Sequence, residues 1–338
     1  MKCSVTSCMG TDKRPALALA GLACLAAALL SICLGAAKIS PAELLSALFS
    51  GGQTPAAGIV RYVRLPRTAA CLAAGAALAV SGAIIQSVLA NPLASTNIIG
   101  VNAGAGLMVG LCCAFLPTMG RGLSGAAFLG AMAAVLLVLG IARRIGASRM
   151  TVILAGVAVN AFLNAGTDAV VTLFPDAGIG SADFRVGGFS AVPAGRLWPA
   201  ALLILMGVAL SFTLANELDL LALGEDTAHG LGLSVRRMQF LLLGIAAVLA
   251  GATVSFAGQL GFVGLIVPHL ARRLVGSGNG ILLPMCALSG AALVTLCDLA
   301  ARLLFAPYEL PVGILLSLIG GPFFLMLLVR QRGGRLHD

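Results

Sequence analysis

Charged side chains are scarce in this sequence. Asp, Glu, Lys and Arg make up 10% of its 338 residues, against about 25% in a soluble globular domain. Lysine occurs only at Lys2, Lys13 and Lys38, and none of the three follows a glycine. A phosphate-binding loop ending in Gly-Lys is therefore absent, and any ATP hydrolysis must reside on another subunit. The net charge of +9 would suit nucleic acid in a soluble protein. Here the basic residues sit in short loops without interleaved aromatics, which points to membrane orientation and away from nucleic acid. Nine cysteines form no C-x-x-C pair, so no thiol metal site or redox motif is indicated. Cys24, Cys33, Cys71, Cys286 and Cys297 fall inside apolar runs and read as small hydrophobes. No polar stretch is long enough for a second, soluble domain, and residues 1–338 read as one membrane domain.

What the chain has in abundance is apolar surface. Hydrophobic residues reach 59% and the mean hydropathy is +1.05. At about 20 residues per crossing there is room for about ten spans. The first follows Lys13 and Arg14 and is too long for the apolar core of a cleaved signal peptide. The others are expected at 66–89, 97–116, 123–142, 151–173, 196–214, 239–257, 261–275, 281–304 and 312–329. A short helix capped at Ser40-Pro41 is expected in the loop before the second span. The third and eighth spans are short and interrupted by glycine or proline, a pattern found near pathways. Their matching places suggest two halves, spans two to five against seven to ten, related as an inverted repeat.

Ten crossings put both termini on one side. The balance of loop arginines makes that side cytoplasmic, with residues 1–14 as a tail and 215–238 as the longest inner loop. The opposite side is nonetheless rich in arginine, including Arg61, Arg64, Arg67 and Arg302.

Four stretches carry the most specific signal. The first runs from Arg64 to Gly106: Arg-Leu-Pro-Arg opens a helix of small residues, and Asn91-Pro92 ends it before a glycine-rich segment. The others are GEDTAHGLGLS at 224–234, GQLGFVGLIVPHLARRLVG at 258–276 and ELPVGILLSLIGGPFF at 309–324. Together and in this order they resemble the FecCD-type permeases, the membrane subunits of ABC importers for ferric siderophores, haem and cobalamin. The resemblance extends over nearly all of the chain from about Arg61. It implies an all-α polytopic fold in a bacterial inner membrane, a second permease subunit, a cytoplasmic ATPase dimer and an extracytoplasmic substrate-binding protein. It also implies a pathway lined mostly by the fifth and tenth spans. A ferric siderophore is the first expectation for cargo, with cobalamin or haem as alternatives. No cofactor is called for, and the subunit would not itself be an enzyme.

Three candidate sites follow. Gly224, Glu225, Ala228, Leu231 and Gly232 match the family's coupling-loop pattern, in which glycines make turns and Glu225 would cap a helix. Leucines 218, 220, 221, 223 and 231 would supply apolar contact for an ATPase. Arg64, Arg67 and Arg302 occupy motif positions that, in the resembled importers, receive acidic residues of the binding protein. Asp298, one helical turn before Arg302, would steady it. Ser148 and Thr151, between the fourth and fifth spans, are candidates for the cytoplasmic gate. Asp168 would line an outer vestibule or pair with an arginine of another span.

Two rival classes match parts of the sequence. Gly122-Leu123-Ser124-Gly125 resembles the nucleophile motif of an intramembrane serine protease, with His269 as the sole intramembrane base. The two residues would stand near opposite faces of the bilayer, too far apart to act together. His269 has no Cys, Met or carboxylate at helical spacing and reads as a structural histidine. A proton-coupled transporter would need titratable groups in mid-membrane, and this chain has few.

Overall fold

A computed structural model describes residues 13–35, 54–118, 122–146, 148–190, 192–306 and 308–333, with isolated positions 37, 39, 40, 43, 47 and 120 between them. Lys2, Lys38, Arg121 and most of the tail at 1–14 lie outside the described residues. The body of the short helix expected after Ser40 does too. Its cap is visible, because Ser40 N and Oγ both donate to the Glu43 carboxylate at 2.9 and 2.8 Å, while Glu43 N donates to Ser40 Oγ at 3.3 Å. This is a reciprocal capping box.

Among the described residues the chain is helical, without strands. The helices are α1 (Arg14–Cys33), α2 (Pro55–Val88), α3 (Val101–Phe115), α4 (Leu123–Ile145), α5 (Arg149–Leu173), α6 (Pro175–Val186) and α7 (Ala194–Thr213). After these come α8 (Ala215–Ala222), α9 (Glu225–Gly230), α10 (Val235–Ala257), α11 (Val263–Val275), α12 (Asn279–Leu304) and α13 (Val312–Gly333). Seven of them are long and apolar enough to cross a membrane: α1, α2, α4, α5, α7, α10 and α12. The short α3 and α11, together with α13, fall where the third, eighth and tenth spans were expected. The ten segments therefore keep the expected order, most bounds shifting by only a few residues.

The largest shift is at α2, which begins at Pro55 and runs unbroken through Arg61, Arg64 and Arg67. Pro66 has no N–H and cannot complete an ordinary helical ladder. The turn Val60–Arg64 widens into a π-helix, and Leu65 N–H reaches back to Val60 O, so the helix passes the proline without stopping. A second departure is α6. It occupies part of a segment expected to be loop, starting at Pro175 with Asp176 in its first turn and Arg185 in its last.

Burial sorts the helices. In the apolar window of α2, 78% of residues are buried, against 17% in α1, 22% in α7 and 28% in α5. So α2 is the bundle axis, and α1, α5 and α7 turn broad faces outward. α2 packs along α12, and α10 packs along α4. Each of these pairs becomes the other when the two halves are exchanged, as a repeat of spans two to five in spans seven to ten would require. The α2–α12 contact depends on backbone approaching backbone: a Cβ on Gly75 would overlap the Gly290 carbonyl, and one on Gly290 would overlap that of Gly75. Small residues allow this contact where lipid supplies no hydrophobic drive.

α2 and α12 run antiparallel. Arg67, just past Pro66 in the first half of α2, meets Asp298 near the end of α12. Ser87 at the end of α2 donates to Asn279 at the start of α12, 3.3 Å away. The 26 residues of α12 span about 39 Å, so these contacts mark two ends of the bundle. They are called here the clamp end and the elbow end.

Candidate functional site

At the elbow end, α8 and α9 form a bent pair between α7 and α10. Gly224 joins them with φ +110° and Gly232 follows α9 with φ +88°, conformations that favour glycine. The close of α9 is a Schellman motif: Leu233 N donates to Ala228 O at 3.0 Å and Gly232 N to His229 O at 2.9 Å. Ala228, Leu218 and Leu221 are fully buried, while Leu223 and Leu231 are 62% and 61% exposed. Of the five leucines expected as contacts, these last two form an apolar tip, with Glu225, Asp226 and His229 exposed beside them.

Glu225 does not cap α9; Gly224 holds the N-cap position. The Glu225 carboxylate instead accepts from Gln239 Nε2 at 3.1 Å and lies 3.4 Å from Arg149 Nε. That second contact is an ion pair whose N–H points off the hydrogen-bond axis. Arg149 also donates to Leu221 O at 2.7 Å. A second tether runs from Asp219 Oδ1, which accepts from Asn279 N at 2.9 Å and Nδ2 at 2.7 Å. From there Asn279 meets Ser87, and Arg272 of α11 donates to the neighbouring Gln86. The elbow is thus fastened to α5 on one side and to α2, α11 and α12 on the other.

Ser148 and Thr151 lie at the same end, beside Arg149. Ser148 is the N-cap of α5; its Oγ accepts from Thr151 N at 3.2 Å, and the two hydroxyls are 2.8 Å apart. The structure makes Arg149 the link from that turn to the elbow.

At the clamp end, the three expected docking arginines are not exposed. Arg64, Arg67 and Arg302 retain 3%, 7% and 4% of their accessible surface. Arg64 donates to the carbonyls of Ile32 and Cys33, each at 2.8 Å, and of Ala37 at 2.5 Å. Arg67 grips the Asp298 carboxylate through Nε and Nη2 at 3.0 Å and donates to Glu309 Oε2 at 2.7 Å. Arg302 lies 3.1 Å from Asp298 and donates to Ser31 Oγ at 2.9 Å. Asp298 steadies Arg302 as its spacing suggests, but it also serves Arg67. The expectation of free cations is corrected here: guanidinium groups at this depth need internal acceptors, and these have them. Ser31 Oγ lies 2.8 Å from Thr68 Oγ1, which extends the clamp to α1.

The rival motif residues are engaged elsewhere. Ser124 lines a pocket of about 290 Å³ with Phe184, Arg196 and Ser255. His269 packs edge-on against Phe323 of α13, ring centroids 5.9 Å apart. Asp168 is exposed on α5 and has no arginine partner among the described residues.

An all-helical bundle with an interrupted α10–α11 passage and a bent, tethered pair of short helices at one end describes a transport subunit, and no catalytic group is assembled among the described residues. Residues 23–330 match the FecCD transport family, and the chain belongs to that family. It is 40% identical over 93% of its length to the iron(3+)-hydroxamate import system permease protein FhuB of Bacillus subtilis (strain 168), covering 82% of that protein. To the hemin transport system permease protein HmuU of Yersinia pestis it is 39% identical, over 81% of this chain and 84% of that one. A solved metal-chelate type ABC transporter in an inward-facing conformation superposes with a TM-score of 0.84 at 28% identity, covering 94% of this chain and 99% of the other. The protein is a multi-pass membrane permease of the ABC transporter class, a transporter component and not an enzyme.

Proposed function

We propose that this chain is the membrane-spanning subunit of a bacterial inner-membrane importer for iron chelates, working as a pair of permeases with a cytoplasmic ATPase dimer and an extracytoplasmic binding protein. The observation that carries this reading is the tethered elbow, a rigid projection with an apolar tip in a chain that has no ATP site of its own. Its place in the chain and its Gly-Glu-x-x-Ala-x-x-Leu-Gly sequence match the family's coupling loop. The elbow end is cytoplasmic and both termini lie there. ATP-driven closure of the ATPases pushes on Leu223 and Leu231. The push passes through Glu225 and Arg149 to the start of α5, where Ser148 and Thr151 face the same turn of the second permease.

The binding protein sits at the clamp end. Its contacts fall on exposed side chains around the clamp, Tyr62 and Tyr308 among them at 83% and 82% exposure. The three buried arginines set the frame on which those side chains stand. The siderophores and haem named for the relatives make a ferric chelate the first choice of cargo. The direct test is assembly: the detergent-purified chain, mixed with a FecCD-importer ATPase, should form a stable complex that Leu223→Asp with Leu231→Asp abolishes. A complex that survives both changes would move the ATPase contact away from the elbow.

A further inference from the structure

The exposed face of α5 is not uniformly apolar. Asn160, Asn164 and Asp168 follow at intervals of four, so they share one face of the helix. Asn160 and Asn164 lie roughly 17 and 22 Å along α5 from Arg149, well inside a hydrocarbon core about 30 Å thick. Polar side chains at that depth turn toward protein or water and not toward lipid. Asn164 is exposed and has no hydrogen-bond partner among the described residues. Asp168, one turn beyond it, is likewise exposed.

The face opens on a pocket of about 420 Å³, with Asn97, Asn102, Asn160, Asn164 and Gln259 among its lining residues and no charged residue among them. Three separate elements deliver these amides: the segment before α3 and its first turn, the exposed face of α5, and the break between α10 and α11. The amides are held in place by bonds that consume only part of their capacity. Asn160 Nδ2 donates to Asn97 O at 2.6 Å and Gly156 O at 2.9 Å, Asn102 Nδ2 to Asn97 Oδ1 at 2.6 Å, and Gln259 Nε2 to Asn102 O at 3.1 Å. Among the described residues the Asn160 and Gln259 oxygens and the whole Asn164 amide have no hydrogen-bond partner. The lining offers hydrogen bonds without charge, and the nearest full charge on the same face is the carboxylate of Asp168.

We propose that this amide-lined pocket is the cargo-contact station of the pathway. It takes a neutral or cationic ferric chelate with an oxygen- and amide-rich surface, of the hydroxamate type, and disfavours polycarboxylate chelates. This deepens the import reading and rests on it. An anionic chelate would lack any basic side chain in the pocket and would meet Asp168 along the same face. Weak, uncharged contacts also suit a transporter, since the cargo must leave again.

The test uses the complete complex, permease pair with its ATPase and its own binding protein, in proteoliposomes. Three ⁵⁵Fe-labelled probes are offered: a neutral ferric trihydroxamate, ferric citrate and haemin. The wild type should take up the trihydroxamate under ATP. Asn164→Leu should slow that uptake by about fivefold or more, the loss expected for one hydrogen-bonding group, and Asn164→Gln should restore most of it. Gel filtration of each variant complex confirms assembly, so slow uptake cannot be mistaken for misfolding. An assembled Asn164→Leu complex that transports at the wild-type rate overturns the station. Wild-type uptake of ferric citrate or haemin without the trihydroxamate overturns the ligand class while leaving the import reading standing. ATP-dependent uptake of none of the three overturns the import reading itself, and the station with it.

Discussion

Arg149 at the first turn of α5 lies 3.4 Å from the Glu225 carboxylate and donates a 2.7 Å hydrogen bond to Leu221 O, joining α5 to the elbow. Both side chains keep contact with solvent, at 22% and 43% exposure. A pair of this kind contributes only about 0.2–1 kcal/mol to stability. Its value is positional.

Glu225→Arg sets two cations against each other at this joint. We expect thermal stability to change by less than about 1 kcal/mol, while substrate-stimulated ATP hydrolysis by the complex falls sharply. The exchanged pair Arg149→Glu with Glu225→Arg should recover part of that stimulation. Full stimulation in the single variant would show that coupling does not pass through the joint.

Asp298→Ala should be far more damaging to the fold. It leaves Arg67 and Arg302 buried without their shared carboxylate, and breaking a buried pair typically costs about 3–5 kcal/mol. Glu309→Gln, at a site 37% exposed, should cost much less. Thermal unfolding in detergent separates the two, and equal losses would contradict the clamp as drawn.

Gly290→Leu tests the backbone contact between α12 and α2. Overpacking of this sort costs about 1–3 kcal/mol, and here the neighbour is a carbonyl that cannot rotate away. Gly244→Ala in α10 is the control, since a Cβ there meets nothing within 4 Å. It should be neutral or stabilise by up to about 1 kcal/mol. The same unfolding assay ranks them, and the reverse order would refute the packing argument.

Cysteines placed at Ser148 or Thr151 should crosslink between two permeases, and the yield should change with nucleotide. Absence of crosslinks in every nucleotide state would move the gate to another part of α5 or to another helix.

The order of the spans was legible because hydropathy is a local property, and α3 and α11 announced themselves by their brevity. The start of α2 was not legible. Arg61 and Arg64 look like loop residues until the carbonyls they donate to are known, and the Asp298 and Glu309 partners of Arg67 stand more than 230 positions away in the chain. The same long-range pairing turned expected surface cations into a buried clamp. The elbow's glycines were readable because positive φ is written in residue type, but the target of Glu225 was not, since Arg149 and Gln239 arrive from two other helices. α6 carried its own signals in Pro175, Asp176 and Arg185, obscured by low hydropathy and two glycines. In the amide pocket, Asn160 and Asn164 were visible at helical spacing, while only the fold brings Asn97 and Gln259 beside them.

The most direct test of the account is ATP-driven uptake of labelled ferric chelate by proteoliposomes carrying the full complex, wild type against Gly224→Pro. Proline requires φ near −65° where Gly224 has +110°, so the bend of the elbow cannot be kept. Wild-type uptake should need the ATPase and ATP, and it should be lost in a Gly224→Pro complex that still inserts as a folded permease. ATPase-independent uptake driven by a proton gradient, or undiminished ATP-driven uptake by Gly224→Pro, would contradict the account.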